Sequence, residues 1–158
     1  MKEVLIDTSE DHVGIVIAEG LIIKSFTREF TKIFGKPVHM RELKFSEKFS
    51  IVRKFEQFFR ERSYSRKEVE LYSIEVTDAK FWTILIKAIL NRKIESVNAD
   101  YEVQQSLKRF VNVLLLRQLN FFLLKETLQF ADIVAYGNSH QDLVKHIWKN
   151  VPVERGSM

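Results

Sequence analysis

An apolar run that leads into a carboxylate constrains the fold of this chain most. Residues 4–6 are apolar and precede Asp7, a short polar turn follows, and a second apolar run begins near Gly14. This pattern predicts a β-hairpin whose first strand is buried inside a sheet. An unpaired buried carboxylate is costly, and α/β folds often carry their chemistry at strand ends. Asp7 is therefore the first candidate functional residue, with the capping of a turn as its alternative role.

The rest of the chain shows strand and helix patterns in alternation, which predicts an α/β protein with a mixed sheet flanked by helices. Residues 27–34 either extend a third strand or form a helix, and residues 130–136 form either a strand or the end of a buried helix. A long helical tract is predicted over residues 102–128. It is expected to break near Asn120, because so long a helix is uncommon in a small domain. The predicted elements are strands at 4–9, 13–17, 21–26, 68–76 and 94–99, and helices at 44–62, 79–90, 102–128 and 139–149.

Composition limits the chemistry that the chain can carry. Its 158 residues fit one domain over residues 1–153, with residues 154–158 as a tail or a cloning scar. The absence of cysteine excludes thiolate zinc sites and cysteine nucleophiles. No apolar run approaches the roughly 20 residues that span a bilayer, so we expect no membrane segment and a cytoplasmic location. The net charge of +4 favours a polyanionic partner.

Three acids are predicted to converge at one edge of the sheet. Asp7 and Glu75 end the first and fourth predicted strands, and they share an edge if these strands are parallel neighbours. Asp142, in the first turn of the last helix, is the third, with Asp132 as its alternative because it sits in an apolar run. Converging carboxylates repel one another unless a cation binds, and their hard oxygen ligands suit Mg²⁺ or Mn²⁺. Such ions support phosphodiester hydrolysis.

The hairpin around Asp7 and Gly14, together with Glu75 and the segment from Ser139 to Asp142, resembles the RuvC-type Holliday-junction resolvases of the ribonuclease H-like superfamily. This resemblance implies a ribonuclease H-like mixed sheet whose first three strands are antiparallel. It also implies that Asp7, Glu75 and Asp142 bind Mg²⁺ or Mn²⁺. The protein would be a homodimeric endonuclease acting on branched DNA. His140 either caps the last helix or protonates the leaving oxygen.

A second resemblance covers the N-terminal third of the chain. Residues 5–9, 14–20 and 35–42 are similar to the opening of the actin-like tRNA threonylcarbamoyl-transfer proteins, whose two-lobed nucleotide site needs a longer chain. The alternative function is therefore a non-catalytic subunit that binds nucleic acid or a partner protein in a larger complex. The resolvase family usually has a glycine where this chain has Ser9, and many of its members have an acid or a histidine where it has Ser139. Both differences favour this alternative.

Basic residues on and after the helix at 44–62 form a predicted nucleic-acid-binding surface, because cations that neutralise phosphates provide most of the sequence-independent affinity. A solvated helix face is the alternative interpretation. These residues are Lys44, Lys48, Arg53, Lys54, Arg60, Arg62, Arg66 and Lys67.

Overall fold

A computed structural model of the protein describes residues 2–9, 11–65, 67–75, 94–114, 120–139, 151 and 153–155. Within these ranges the chain forms strands, α-helices and one short 3₁₀ turn. The strands are β1 (Lys2–Ser9), β2 (His12–Glu19), β3 (Val69–Glu75), β4 (Ile94–Asn98), β5 (Asn120–Phe122) and β6 (Val153–Arg155). The α-helices are α1 (Gly20–Phe34), α2 (Phe45–Arg62), α3 (Tyr101–Leu114) and α4 (Lys125–Ser139), and the 3₁₀ turn is Met40–Glu42.

The strands form one mixed sheet in the order β5-β4-β1-β2-β3-β6. β2 is antiparallel to both β1 and β3, whereas β4 runs parallel to β1 and to β5. β6 is parallel to β3 and includes residues 154 and 155, which we had assigned to the tail. The predicted α/β class with a mixed sheet flanked by helices is confirmed.

The prediction of a third strand at residues 21–26 is wrong, because these residues belong to α1. Ile23, Phe26 and Phe30 are buried at three- and four-residue spacing, while Leu21 is 80% exposed. This is the one-sided burial of an amphipathic helix. The third antiparallel strand is instead β3, so the antiparallel strands are not the first three that the sequence predicted.

In the C-terminal half, the break predicted near Asn120 is confirmed. The tract predicted as helix over 102–128 contains α3, then the short strand β5, which begins at Asn120, and then the start of α4. Residues 130–136, for which strand and helix were both open, lie within α4. The predicted helices over 79–90 and 139–149 fall mostly or wholly outside the described residues.

Several local predictions are confirmed. The helix predicted over 44–62 is α2, the strand predicted to end near Glu75 is β3, and the short strand after residue 93 is β4. Gly35 ends α1 with a φ of 71°. Glycine adopts this left-handed conformation without the steric penalty that a side chain brings.

Apolar side chains cover both faces of the sheet. On one face, Leu5 and Val16 belong to a core that α1, α2 and α4 complete with a cluster of phenylalanines. In that cluster Phe26 stacks on Phe30 at 4.3 Å between ring centroids, and each such pair contributes about 1 kcal/mol beyond its buried area. On the other face, Ile6 and its neighbours pack against α3. None of the described helices is long and apolar enough to cross a bilayer.

Candidate active site

A close approach between α4 and the first hairpin builds the site. Asp7 and Gly14 are partners in the β1–β2 register. A Cβ atom on Gly14 would lie 2.0 Å from the backbone oxygen of Ala131 and 2.9 Å from the backbone nitrogen of Ala135. Any side chain at position 14 would therefore push α4 away from the sheet. Glycine allows the helix backbone to pass directly over the strand, beside Asp7.

This packing brings Asp132 of α4 near Asp7 of β1. Asp132 is only 3% exposed, and Asp7 is partly buried. The pKa of Asp7 rises to about 7, first because burial removes water from the carboxylate and then because the charge of Asp132 repels its own. Asp100 adds to the rise. The backbone N–H of Thr8, which donates to Oδ1 of Asp7 at 2.9 Å, opposes it together with the charge of Arg41.

Asp132 also holds the loop that joins α1 to α2. We call residues 36–44 the strap. The backbone N–H of Met40 donates to Oδ2 of Asp132 at 2.8 Å, and the N–H of Val38 donates to Oε1 of Gln129 at 3.0 Å. The side chains of Val38 and Met40 are buried. Two side chains of one α4 face therefore fix the strap to the helix.

The strap places positive charge beside the two acids. His39 and Arg41 alternate with the buried residues Val38 and Met40 and are exposed. Burial raises the pKa of Asp132, and the Met40 N–H, followed by the charges of His39 and Arg41, acts in the opposite direction. The acidic pair of Asp7 and Asp132 therefore lies between the sheet and a loop that carries cationic side chains.

The end of β4 borders the same edge, because β4 is the parallel neighbour of β1. Asn98 is fully buried, and its side-chain amide bonds both the N–H and the carbonyl of Leu124, at 2.9 and 3.0 Å, and also the hydroxyl of Thr127. These bonds fix the start of α4 relative to the sheet. Asp100 accepts the N–H of Val103 at 3.2 Å and so caps α3.

Comparisons with protein-family models, with curated proteins and with solved structures find no match to this chain.

The predicted site residues lie in different places. Glu75 ends β3 and pairs with His12, so β2 separates it from β1. The premise that the first and fourth predicted strands are neighbours is wrong. Strands lie about 4.8 Å apart, which places Glu75 on the shared edge but about 10 Å from β1. Asp142 and His140 lie outside the described residues. The acid that meets Asp7 is Asp132, the alternative that the sequence offered.

Sequence reasoning missed Asp100, His39 and Arg41. Asp100 follows β4, the parallel neighbour of β1, so a correct strand order would have identified it. The position of His39 and Arg41 depends on hydrogen bonds to α4, which lies about 90 residues later in the chain. No local sequence pattern in the strap predicts these contacts.

The two carboxylates could provide some of the oxygen ligands that a divalent cation requires. Among the described residues, no group of three or more carboxylate or imidazole side chains is arranged to hold a metal ion. Magnesium is nevertheless often held by one or two carboxylates, with water and substrate phosphates at its other positions. A backbone N–H holds one oxygen of each carboxylate, Oδ1 of Asp7 and Oδ2 of Asp132. The pair therefore fits a hard cation that also contacts a substrate.

The predicted basic surface divides into distinct groups. Arg62 bonds the carboxylate of Glu29 and lies 4.0 Å from the centroid of the Phe58 ring. The ammonium of Lys48 lies 5.4 Å from the centroid of the Tyr136 ring, on α4. These two side chains have intramolecular partners. Arg53, Lys54 and Arg60 are exposed and line one groove along α2. Arg66 lies outside the described residues.

Proposed function

We propose that this protein is a divalent-metal-dependent nuclease that hydrolyses phosphodiester bonds, with Asp7 and Asp132 as its metal-binding carboxylates. The observation that carries the proposal is the placement of Asp132 near Asp7. Burial and, after it, the charge of Asp132 raise the pKa of Asp7 to about 7, and holding both carboxylates ionised there costs stability unless a bound cation offsets it. Such a cost is expected where a site is built for a ligand.

A ribonuclease H-like fold is part of this proposal. The antiparallel strands β1, β2 and β3, with β4 added parallel to β1, support it. This arrangement places Asp7 and Asp100 at a shared carboxyl edge, and α4 then crosses that edge with Asp132. Branched DNA as the substrate, a homodimer as the active form and the cytoplasm as its location rest on the resemblance to junction resolvases.

In this proposal the described residues have separate roles in cation binding and in orienting the carboxylates. Asp7 and Asp132 would hold the cation, which would polarise a phosphate oxygen and lower the pKa of a bound water. The Thr8 and Met40 N–H groups each orient one carboxylate. Because the pKa of Asp7 is about 7, cation binding must displace a proton near neutral pH. We therefore expect activity to rise with pH through this range.

A second candidate is a non-catalytic subunit that binds nucleic acid or a partner protein. The observation that favours it is the charge of Arg41, which opposes the pKa rise of both Asp7 and Asp132. In this case the strap would supply the positive charge that a cation supplies in a nuclease. Asp132 would then serve only to anchor the strap through Met40.

Cleavage of labelled DNA tests both candidates. The substrates are a four-way junction, a linear duplex and a single strand, each with Mg²⁺, with Mn²⁺ and with chelator. Metal-dependent cutting by the wild type, lost by at least about 100-fold in Asp7→Asn and Asp132→Asn, would support the nuclease. Glu75→Gln is the matched control and should keep its activity. Absence of cutting on every substrate, with unchanged binding in Asp7→Asn, would refute the nuclease and support the subunit.

A further inference from the structure

Two adjoining grooves follow the outer side of α2. The first lies between the strap and the start of α2 and has a volume of about 300 Å³. The second continues along α2 with a volume of about 360 Å³. Ser46 and Ser50 line both grooves. The grooves therefore form one continuous track, which begins at the strap and runs along α2 as far as Arg60.

The second groove combines cations with an aromatic ring. Arg53, Lys54 and Arg60 line it, together with Phe49, and the Arg53 guanidinium lies 6.0 Å from the centroid of that ring. Its one carboxylate, Glu56, has partners of its own within the protein. Positive grooves with aromatic side chains are the usual means by which proteins bind single-stranded nucleic acid. Cations contact phosphates, and rings stack on bases.

The first groove links this surface to the acidic pair. Lys36 and His39 line it opposite Glu42 and Glu47. The carboxylate of Glu47 already accepts the N–H of Lys44 at 3.1 Å. His39 lines this groove, and the next residue of the strap, Met40, donates its N–H to Oδ2 of Asp132 at 2.8 Å. A chain lying in the track would thus lead towards Asp7 and Asp132.

We propose that this track holds one strand of the nucleic acid, with Arg53 and Arg60 on its phosphates and Phe49 against a base. The proposal rests on the proposed function and adds that one strand of the branched DNA is held unpaired in the track. Residues 46 and 60 are about 21 Å apart along the helix axis, enough for roughly four to six nucleotides. The cations and the ring line one groove of about 360 Å³ along α2, which suits a single strand whose bases are free to stack.

Fluorescence anisotropy with a labelled oligothymidylate tests the track. The measurement is made in chelator, so that binding is separated from cleavage. The double variant Arg53→Ala/Arg60→Ala should weaken binding about tenfold and reduce the slope of log affinity against log salt by about 1.4, since each phosphate contact on a single strand contributes about 0.7. Phe49→Ala should weaken binding while leaving the salt slope unchanged.

Lys24→Ala/Arg28→Ala is the matched control, because it removes the same charge from exposed positions on α1. It should change affinity less than twofold. Equal loss in both double variants, no binding by the wild type, tighter binding of the matched duplex, or equal competition by polyglutamate would overturn the track. Track-dependent binding without metal-dependent cutting would refute the nuclease and keep the track. Metal-dependent cutting by the wild type, with binding unaffected in Arg53→Ala/Arg60→Ala, would refute the track and support the nuclease.

Discussion

Replacing Asp7 with asparagine should stabilise the folded protein above neutral pH. The pKa of Asp7 rises from 3.8 to about 7, so the folded state retains a proton that the unfolded state has released. Below about pH 4 both states carry the proton, and above about pH 7 neither does. Wild-type stability should therefore fall as pH rises between these values. Asparagine is neutral at every pH and should not show this loss.

The expected gain follows from the size of the pKa shift. A rise of about three units corresponds to about 4 kcal/mol in the unfolding free energy at pH 8. Asp7 is only partly buried, so solvent screening reduces this to about 2 kcal/mol. The amide oxygen of asparagine can still accept the Thr8 N–H, so the existing hydrogen bond survives. A gain of this size raises the melting temperature by about 4–8 °C in a chain of this length.

Urea unfolding at pH 5 and pH 8, without divalent cations, measures the effect. Asp7→Asn should be more stable than the wild type at pH 8, with a smaller difference at pH 5. Glu95→Gln, an exposed acid on β4, is the control and should change stability by less than about 0.5 kcal/mol at either pH. Equal or lower stability of Asp7→Asn at pH 8 would refute the argument that burial and Asp132 strain this carboxylate.

Three further predictions concern packing, hydrogen bonding and metal. Gly14→Ala should lower the unfolding free energy by about 3 kcal/mol in urea titration, because the new methyl group meets the helix backbone. Gly20→Ala is its control and should be neutral, since its nearest atom is a flexible carboxylate oxygen 3.5 Å away. Asn98→Ala should cost about 3 kcal/mol by removing the hydrogen bonds that this buried side chain forms with Leu124 and Thr127. Magnesium should raise the melting temperature of the wild type but not of Asp7→Asn; equal shifts would refute binding at this site.

The sequence was sufficient where the hydrophobic period was long or sharply bounded. The helix α2 repeats its buried phenylalanines over several turns, and the first hairpin is bounded by a polar turn. Residues 21–26 were misassigned because a short apolar run fits a strand or a helix equally well. The period of α1 becomes visible only when Phe30 is included, one turn further on. Residues 21–26 taken alone therefore do not distinguish this helix from a strand.

The candidate site was harder to predict because its parts are distant in sequence. Asp7 was identified from its place near the end of an apolar strand, and Asp132 from its apolar neighbours. Their pairing depends on the order of strands and on the packing of α4, which are non-local properties. The sequence placed Glu75 beside Asp7 because it assumed the wrong neighbour for β1. The strap contacts of Gln129 and Asp132 left no local signal.

The contact of α4 with Gly14 also determines when the site can exist during synthesis. The hairpin of β1 and β2 leaves the ribosome well before the helix that covers it, which begins at Lys125. Until that helix arrives, Leu5 and Val16 expose one face of the hairpin, and Asp7 remains in water with an ordinary acidity. Contacts of such long sequence separation form late in folding. A nascent or truncated chain without α4 should therefore bind chaperones that recognise exposed apolar strands, and it should have no acidic pair.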